Sequence, residues 1–237
     1  KETDEVVKRA KELVDTLLKV IKEHVERLKR LVEELLKVIR DHVRILRELA
    51  KRLREKVVKS EIADEVEKIV RDVARENERV VERIKRLAER NARSNDEVVR
   101  RIEELVDRLA KLAKKLDKKE LLDTLKRITD EAIRLVEELL EENKRSMEEL
   151  IRLVEDILEK NRRVEKKIID LVRREPTTSD VERVLEELRR RLEKSVEEVE
   201  RVLKRLKEEL DKSVEEVKDV LRRLLEDLKR VVEELRR

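Results

Sequence analysis

Apolar side chains recur along the whole chain at spacings of three and four residues, the pattern of one face of an α-helix. The first stretch contains Leu17, Ile21, Leu28, Leu31 and Leu35, with charged residues between them. The pattern continues for far longer than an ordinary globular helix, which favours a helical bundle or a coiled coil.

Helix-capping residues and one proline divide this pattern into four segments. Thr3 is the predicted cap of the first helix. The first break falls at Lys59–Ser60, where Ser60 is predicted to cap the second helix. Asp117 and Glu120 have the spacing of a capping box and predict the start of the third helix.

The third break surrounds Pro176, which cannot continue a helix, and Ser179 with Glu182 has capping-box spacing immediately after it. The four predicted helices span about 3–58, 61–116, 118–174 and 180–236. Because their connections are short, consecutive helices should be antiparallel neighbours. We therefore predict an all-α, single-chain, up-down-up-down antiparallel four-helix bundle that forms one domain over residues 1–237.

The helical segments contain an 18-residue repeat. Residues 14–31 and 32–49 are identical at 10 of 18 positions, and so are residues 184–201 and 202–219. Eighteen residues complete five turns at 3.6 residues per turn, so the apolar stripe stays on the same side of a straight helix. This period predicts nearly straight helices, whereas a seven-residue repeat would impose a left-handed supercoil.

Each apolar stripe is interrupted by two polar residues that lie 18 residues apart. In an antiparallel hairpin, residues at equal sequence distance from the turn lie at the same height. Measured from the three breaks, these residues form two predicted layers. The first layer contains His24, Asn95, Asn143 and Ser213, and the second contains His42, Asn77, Asn161 and Ser195.

Two further residues extend the first layer. Asn91 lies one helical turn from Asn95, and Ser146 lies one turn from Asn143. Both are at nearly equal distance from the second break, so they are predicted to lie at one height.

If their side chains are buried, the layers can fix the register of the helices. Neutral His, Asn and Ser together supply donors and acceptors that can form a closed ring of hydrogen bonds. A shift of one helix by one turn would leave these groups in hydrocarbon, which disfavours the wrong registers. Burial should also lower the pKa of His24 and His42, because it disfavours the charged imidazole. We expect no inward-facing carboxylate near either histidine to offset this effect.

The composition excludes most catalytic and ligand-binding sites. The chain has no Gly, no Cys and no aromatic residue, so it lacks phosphate-binding glycine loops, thiolate metal sites and aromatic stacking platforms. The two histidines are about five turns apart and cannot share a metal ion. We expect no enzyme activity, no catalytic residue, no cofactor and no metal.

The charges are evenly mixed, with 65 Lys and Arg against 61 Asp and Glu, and a basic patch for nucleic acid is not predicted. No run of 18 apolar residues is present to cross a membrane. We expect a soluble monomer that requires no partner and no membrane, with no natural localisation beyond the cytoplasm of an expression host. Met147 is predicted to lie in the core, and Thr16 and Thr124 near the surface.

The repeated helices, the polar layers and the Glu, Lys, Arg and Asp surface resemble de novo designed helical bundles with modular buried hydrogen-bond networks. The resemblance covers the whole chain and implies a structural scaffold with no natural biochemical activity. One alternative is a designed binding component whose hairpins, residues 1–116 and 117–237, pair or exchange as in a heterodimer or a cage. Another alternative is a lipid-surface protein of exchangeable amphipathic helices.

Overall fold

The structure, a computed structural model, describes the backbone of residues 2–57 and 59–237 and the side chains of residues 4–57, 59–234 and 236–237. The helices are α1 (Glu2–Lys56), α2 (Ser60–Ala113), α3 (Lys118–Val172) and α4 (Ser179–Arg236). The predicted all-α class and the number of helices are confirmed, and each end lies within three residues of its predicted position. In the part of the chain that is described, no helix is both long enough and apolar enough to span a membrane.

The chain divides into two compact units, and each helix contributes one segment to each unit. Unit 1 comprises Lys1–Lys29, Glu89–Ser146 and Glu208–Arg237. Unit 2 comprises Arg30–Ala88 and Met147–Lys207. Within each unit the four segments pack as an antiparallel four-helix bundle.

The core of unit 1 is built from the apolar stripes of all four helices. Ile21, Ile102, Val136 and Val217, one from each helix, are all fully buried. Their side chains occupy the inward positions that the spacing of three and four residues predicts. Removing this apolar surface from water supplies the main driving force for packing the segments together.

Unit 2 has a core of the same kind. Leu49, Val66, Leu171 and Leu188 come from the four helices in chain order, and each is buried. The two cores contain Leu, Ile, Val and Ala with no aromatic side chain, so they are formed entirely by aliphatic packing.

Ion pairs on the surface of unit 2 display the antiparallel arrangement of α1 and α4. Glu34 contacts Arg205 at 3.1 Å, and Glu48 contacts Arg191 at 3.4 Å. The residue number of the partner in α4 falls as the residue number in α1 rises, as expected for antiparallel neighbours. Exposed pairs of this kind contribute little stability, so the register depends on the interior.

The predicted capping box at the start of α3 is confirmed. The Glu120 N–H donates to Asp117 Oδ1 at 2.8 Å, and the Asp117 N–H donates to Glu120 Oε2 at 3.4 Å. The first helical bond, from the Leu121 N–H to the Asp117 carbonyl, fixes Asp117 as the cap.

The caps predicted for α2 and α4 are each wrong by one residue. The Ala63 N–H donates to the Lys59 carbonyl, which makes Lys59 the cap and Ser60 the first helical residue of α2. At α4 the Val181 N–H donates to Thr178 Oγ1 at 3.2 Å, so Thr178 is the cap instead of Ser179.

The capping carboxylate at α4 also takes a different partner. Glu182 Oε1 accepts a hydrogen bond from Thr177 Oγ1 at 2.7 Å, and Glu182 forms an ion pair with Arg173. These contacts lower the pKa of Glu182, chiefly through the Thr177 hydrogen bond and then through the bond from Arg173. At α1 the helix begins at Glu2, one residue before the predicted cap Thr3, whose side chain lies outside the described residues.

The turns are built without glycine. None of the described residues has a positive φ, so no turn position among them needs the left-handed conformation that glycine favours. The C-terminus of α2 tightens through a bond from the Lys115 N–H to the Leu112 carbonyl, and α3 ends with a similar bond from Arg174 to Leu171. These three-residue bonds satisfy carbonyl groups that would otherwise be left free.

The assignment of the α4 cap can be tested with two adjacent variants. Thr178→Ala should lower the free energy of unfolding by about 1 kcal/mol, because it removes the acceptor of the Val181 N–H. Ser179→Ala removes a hydroxyl one residue later and should cost much less. Denaturant melts of both variants would compare them, and a larger loss for Ser179→Ala would restore the cap expected from the sequence.

Candidate functional site: the buried polar residues

The structure buries nearly all of the predicted polar residues. Those in unit 1 are His24, Asn91, Asn95, Asn143 and Ser213, and those in unit 2 are His42, Asn77, Asn161 and Ser195. Ser146, also in unit 1, is only half-buried. Burial in an aliphatic core makes every unsatisfied donor or acceptor costly, so the partners of these groups decide what they do.

Reciprocal asparagine pairs join α2 to α3 in both units. In unit 2, Asn77 Nδ2 donates to Asn161 Oδ1 at 2.8 Å, and Asn161 Nδ2 donates back to Asn77 Oδ1 at 3.0 Å. In unit 1, Asn95 and Asn143 exchange the same two bonds at 2.8 and 3.0 Å. Each amide therefore serves as both donor and acceptor within its own pair.

The α2 member of each pair makes one more hydrogen bond. Asn77 Nδ2 also donates to the Val73 carbonyl at 2.7 Å, and Asn95 Nδ2 donates to the Asn91 carbonyl at 2.6 Å. Both acceptors lie four residues earlier in the same helix. The two N–H groups of each α2 amide are thus used, one across the helices and one along the helix.

His42 and Ser195 form the second pair of unit 2, between α1 and α4. His42 Nδ1 lies 3.0 Å from Ser195 Oγ in a buried hydrogen bond. Within the described side chains His42 Nε2 has no partner, and no hydrogen bond connects this pair to Asn77 and Asn161. The expected closed ring is therefore replaced by two separate pairs.

The corresponding pair in unit 1 is absent. Among the described residues neither ring nitrogen of His24 has a hydrogen-bond partner, although the residue is only 1% exposed. Ser213 Oγ instead donates to Glu209 Oε1 at 3.1 Å. The predicted extension is not formed either, because Asn91 Oδ1 is without a partner in the described region and Ser146 remains half-buried.

A charged cluster next to His24 was not expected from the sequence. Arg27 Nε lies 2.9 Å from Glu209 Oε1, and Arg27 Nη2 donates to Glu216 Oε2 at 3.3 Å. The Nε contact is an ion pair without hydrogen-bond alignment. The Glu209 side chain is only 17% exposed, and the charge of Glu216 acts on the pKa of His24. The expectation that no carboxylate lies near the histidines is therefore wrong for His24.

Of three other expectations for individual residues, two are confirmed and one is wrong. Met147 is buried and Thr16 is exposed, as predicted. Thr124 is wrong, because it is buried in the second turn of α3. The equivalent residue 18 positions later is the charged Glu142, which favoured a surface position for Thr124. The prediction failed because positions near a helix end face a different environment from mid-helix positions.

Burial lowers the pKa of both histidines to about 4. For His42 the cause is desolvation of the charged form. For His24 desolvation is again the largest cause, the positive charge of Arg27 lowers the pKa further, and Glu216 opposes both. Both imidazoles are therefore neutral near pH 7.

A protein metal site needs several ligating side chains that converge on one point. In residues 4–57, 59–234 and 236–237, no group of three or more His, Asp or Glu side chains is placed to hold a metal ion. The buried polar groups hydrogen-bond mainly to one another or to the backbone. The reciprocal amide bonds join α2 and α3 at one relative height in each unit.

Comparisons with protein families, with curated proteins and with solved structures find no match to this chain.

The asparagine pair predicts a contrast between variants at neighbouring positions. Asn95→Leu should lower the free energy of unfolding by about 1–3 kcal/mol, because the Asn143 amide stays buried and loses both bonds. The double variant with Asn143→Leu should cost less, since no orphaned amide remains. Asn91→Leu is the matched control on the same helix and should be nearly neutral. Denaturant melts compare the three, and equal effects would show that the pair is not a unit.

The histidines predict a loss of stability in acid. In the unfolded chain each imidazole has a pKa near 6.5 and takes up a proton before the folded form does. Their contribution is therefore fully present above pH 6.5, declines as the pH falls, and levels off near pH 4. At pH 5 each histidine should cost about 2 kcal/mol.

A variant with both His24→Gln and His42→Gln separates this effect from the titration of carboxylates. Guanidinium midpoints at pH 7.5 and pH 5 should fall less for the variant than for the parent protein. The same fall in both would mean that neither imidazole is held neutral by burial.

Proposed function

We propose that this chain is a structural scaffold, a de novo designed monomeric four-helix bundle with no catalytic activity. In this proposal the buried polar pairs set the register of the helices. The supporting observation is the reciprocal Asn pair between α2 and α3, which in both units is formed by two Nδ2–H to Oδ1 bonds in opposite directions. A motif repeated with the same geometry is what a modular layer would produce.

The apolar stripes alone would not define one alignment. Leu, Ile and Val side chains pack acceptably at several heights, because each shift by a turn replaces one aliphatic contact with another. A buried amide shifted by one turn would instead lose two hydrogen bonds, at a cost of about 1–3 kcal/mol for each group left unpaired. The pairs therefore penalise the wrong alignments more than they stabilise the right one.

The surroundings of the polar groups support the proposal that the chain has no natural activity. Asn77, Asn95, Asn143 and Asn161 are at most 2% exposed and bonded to each other. A substrate could reach them only if the helices separated. A scaffold role uses these groups as they are, without such an opening.

The Asn pairs also bear on the alternative of hairpin exchange. α2 and α3 belong to different hairpins, residues 1–116 and 117–237, and their amides meet within one chain. In an exchanged dimer the same bonds would have to form between chains. The scaffold proposal therefore predicts that the mass in solution is that of a single chain.

Light scattering on a size-exclusion column should give a mass near 28.6 kDa over a wide range of concentration. As a control for slow exchange, isotopically heavy and light samples should be mixed and examined by native mass spectrometry. A mass near twice this value, or a mixed heavy–light species, would overturn the monomeric scaffold in favour of hairpin exchange.

A further inference from the structure

Two serines that are related by the 18-residue repeat have different hydrogen-bond partners. Ser195 pairs with His42 at 3.0 Å, whereas Ser213 donates to Glu209 at 3.1 Å and His24 has no partner among the described residues. Each serine follows an acidic residue and a lysine, Glu-Lys before Ser195 and Asp-Lys before Ser213, and each precedes the same Val-Glu-Glu-Val sequence. The cause of the difference must therefore lie in other positions of the repeat.

The residue four positions before each serine differs in charge. Glu209 precedes Ser213 by one helical turn, and Arg191 occupies the equivalent place before Ser195. A carboxylate at this position can accept a hydrogen bond from the serine hydroxyl, but a guanidinium has only donors. Ser195 consequently has no acceptor at residue 191, and its hydroxyl pairs with His42.

The neighbour of the histidine differs as well. Arg27 lies three residues after His24, and the equivalent residue after His42 is Ile45. Arg27 forms ion pairs with both Glu209 and Glu216, while Ile45 packs against the core of unit 2. Arg27 therefore holds the Glu209 carboxylate, 17% exposed, at the edge of the core where Ser213 can reach it.

The strength of the competing bonds favours the carboxylate. A hydrogen bond to an ionised acceptor is about twice as strong as one between neutral groups. In its observed position Ser213 Oγ donates to the charged Glu209 and makes no hydrogen bond to the neutral imidazole of His24. The bond to the carboxylate is the stronger of the two, so it favours this position of the hydroxyl.

We propose that Glu209, held by Arg27, is a conformational device that withdraws Ser213 from His24. Residue 209 thereby selects between two hydrogen-bond states of the unit 1 layer. In the observed state Ser213 is bonded to Glu209. In the alternative state Ser213 is bonded to His24, as Ser195 is to His42. The residue four positions before the serine determines which state forms.

Conservative serine variants give the first test. Ring ¹⁵N NMR spectra of the two histidines at pH 7.5 report whether each imidazole has a hydrogen-bond partner. Ser195→Ala should shift the ring ¹⁵N signals of His42, because it removes the partner of Nδ1. Ser213→Ala should leave the signals of His24 unchanged. A shift of His24 comparable with that of His42 would overturn the proposal.

Removal of the competing carboxylate gives the second test. Glu209→Ala should move the ring ¹⁵N signals of His24 towards the shifts of His42, since Ser213 is then free to bond to the imidazole. Glu208→Ala is the matched control, because it removes the same charge from an exposed neighbouring position. Unchanged His24 signals in Glu209→Ala would overturn the proposal, as would equal shifts in both variants.

The reverse exchange in unit 2 should create the state seen in unit 1. Arg191→Glu places a carboxylate one turn before Ser195 and should shift the His42 signals in the same direction as Ser195→Ala. Arg191→Ala removes the guanidinium without adding an acceptor and should leave the His42 signals in place. If Arg191→Ala alone shifts His42, the loss of its ion pairs with Glu48 and Glu187 is the cause, and the competition is refuted.

Discussion

A polar group that is buried among aliphatic side chains needs a partner, and the reciprocal asparagine pairs meet this requirement in both units. Removing a donor or acceptor from water costs about 1–3 kcal/mol when it finds no replacement bond. The cores contain no aromatic residue and no sulfur apart from Met147, so packing alone offers few features that distinguish one height from another. The asparagine amides supply the distinction because they are satisfied only when α2 and α3 are correctly aligned.

The repeat and the positions of the breaks were sufficient to predict the helices and the asparagine contacts. Asn77 and Asn161 lie at equal distance from the second turn, as do Asn95 and Asn143, and each pair is hydrogen-bonded. This inference succeeds because the helical rise is constant and the turn is short. An amide carries both donors and an acceptor, so two amides that face each other can exchange bonds once their side chains are suitably oriented.

The same inference fails where the outcome depends on competition between partners. Height alone predicts that Ser213 meets His24, but the hydroxyl bonds to Glu209, which lies on its own helix. Glu209 also forms an ion pair with Arg27 from another helix, and equal distance from a turn says nothing about such a neighbour. The i−4 spacing of Glu209 and Ser213 was visible in the sequence and could have indicated the bond. The cap at Thr178 was missed for a similar reason, because Thr178 and Ser179 are both good caps and the turn geometry decides between them.

The two kinds of buried pair carry different information about the bundle. An asparagine pair is chemically symmetric, since either helix could supply either amide and the bonds would be the same. It distinguishes axial position but not the identity of the helix that it meets. The pair of His42 and Ser195 is asymmetric, because a histidine opposite a histidine, or a serine opposite a serine, would not reproduce its bond. Helix identity in unit 2 is therefore specified where α1 meets α4. The two bonds that α2 and α3 exchange across the pair would be the same if these helices changed places, and only the bond of the α2 amide to its own backbone tells them apart.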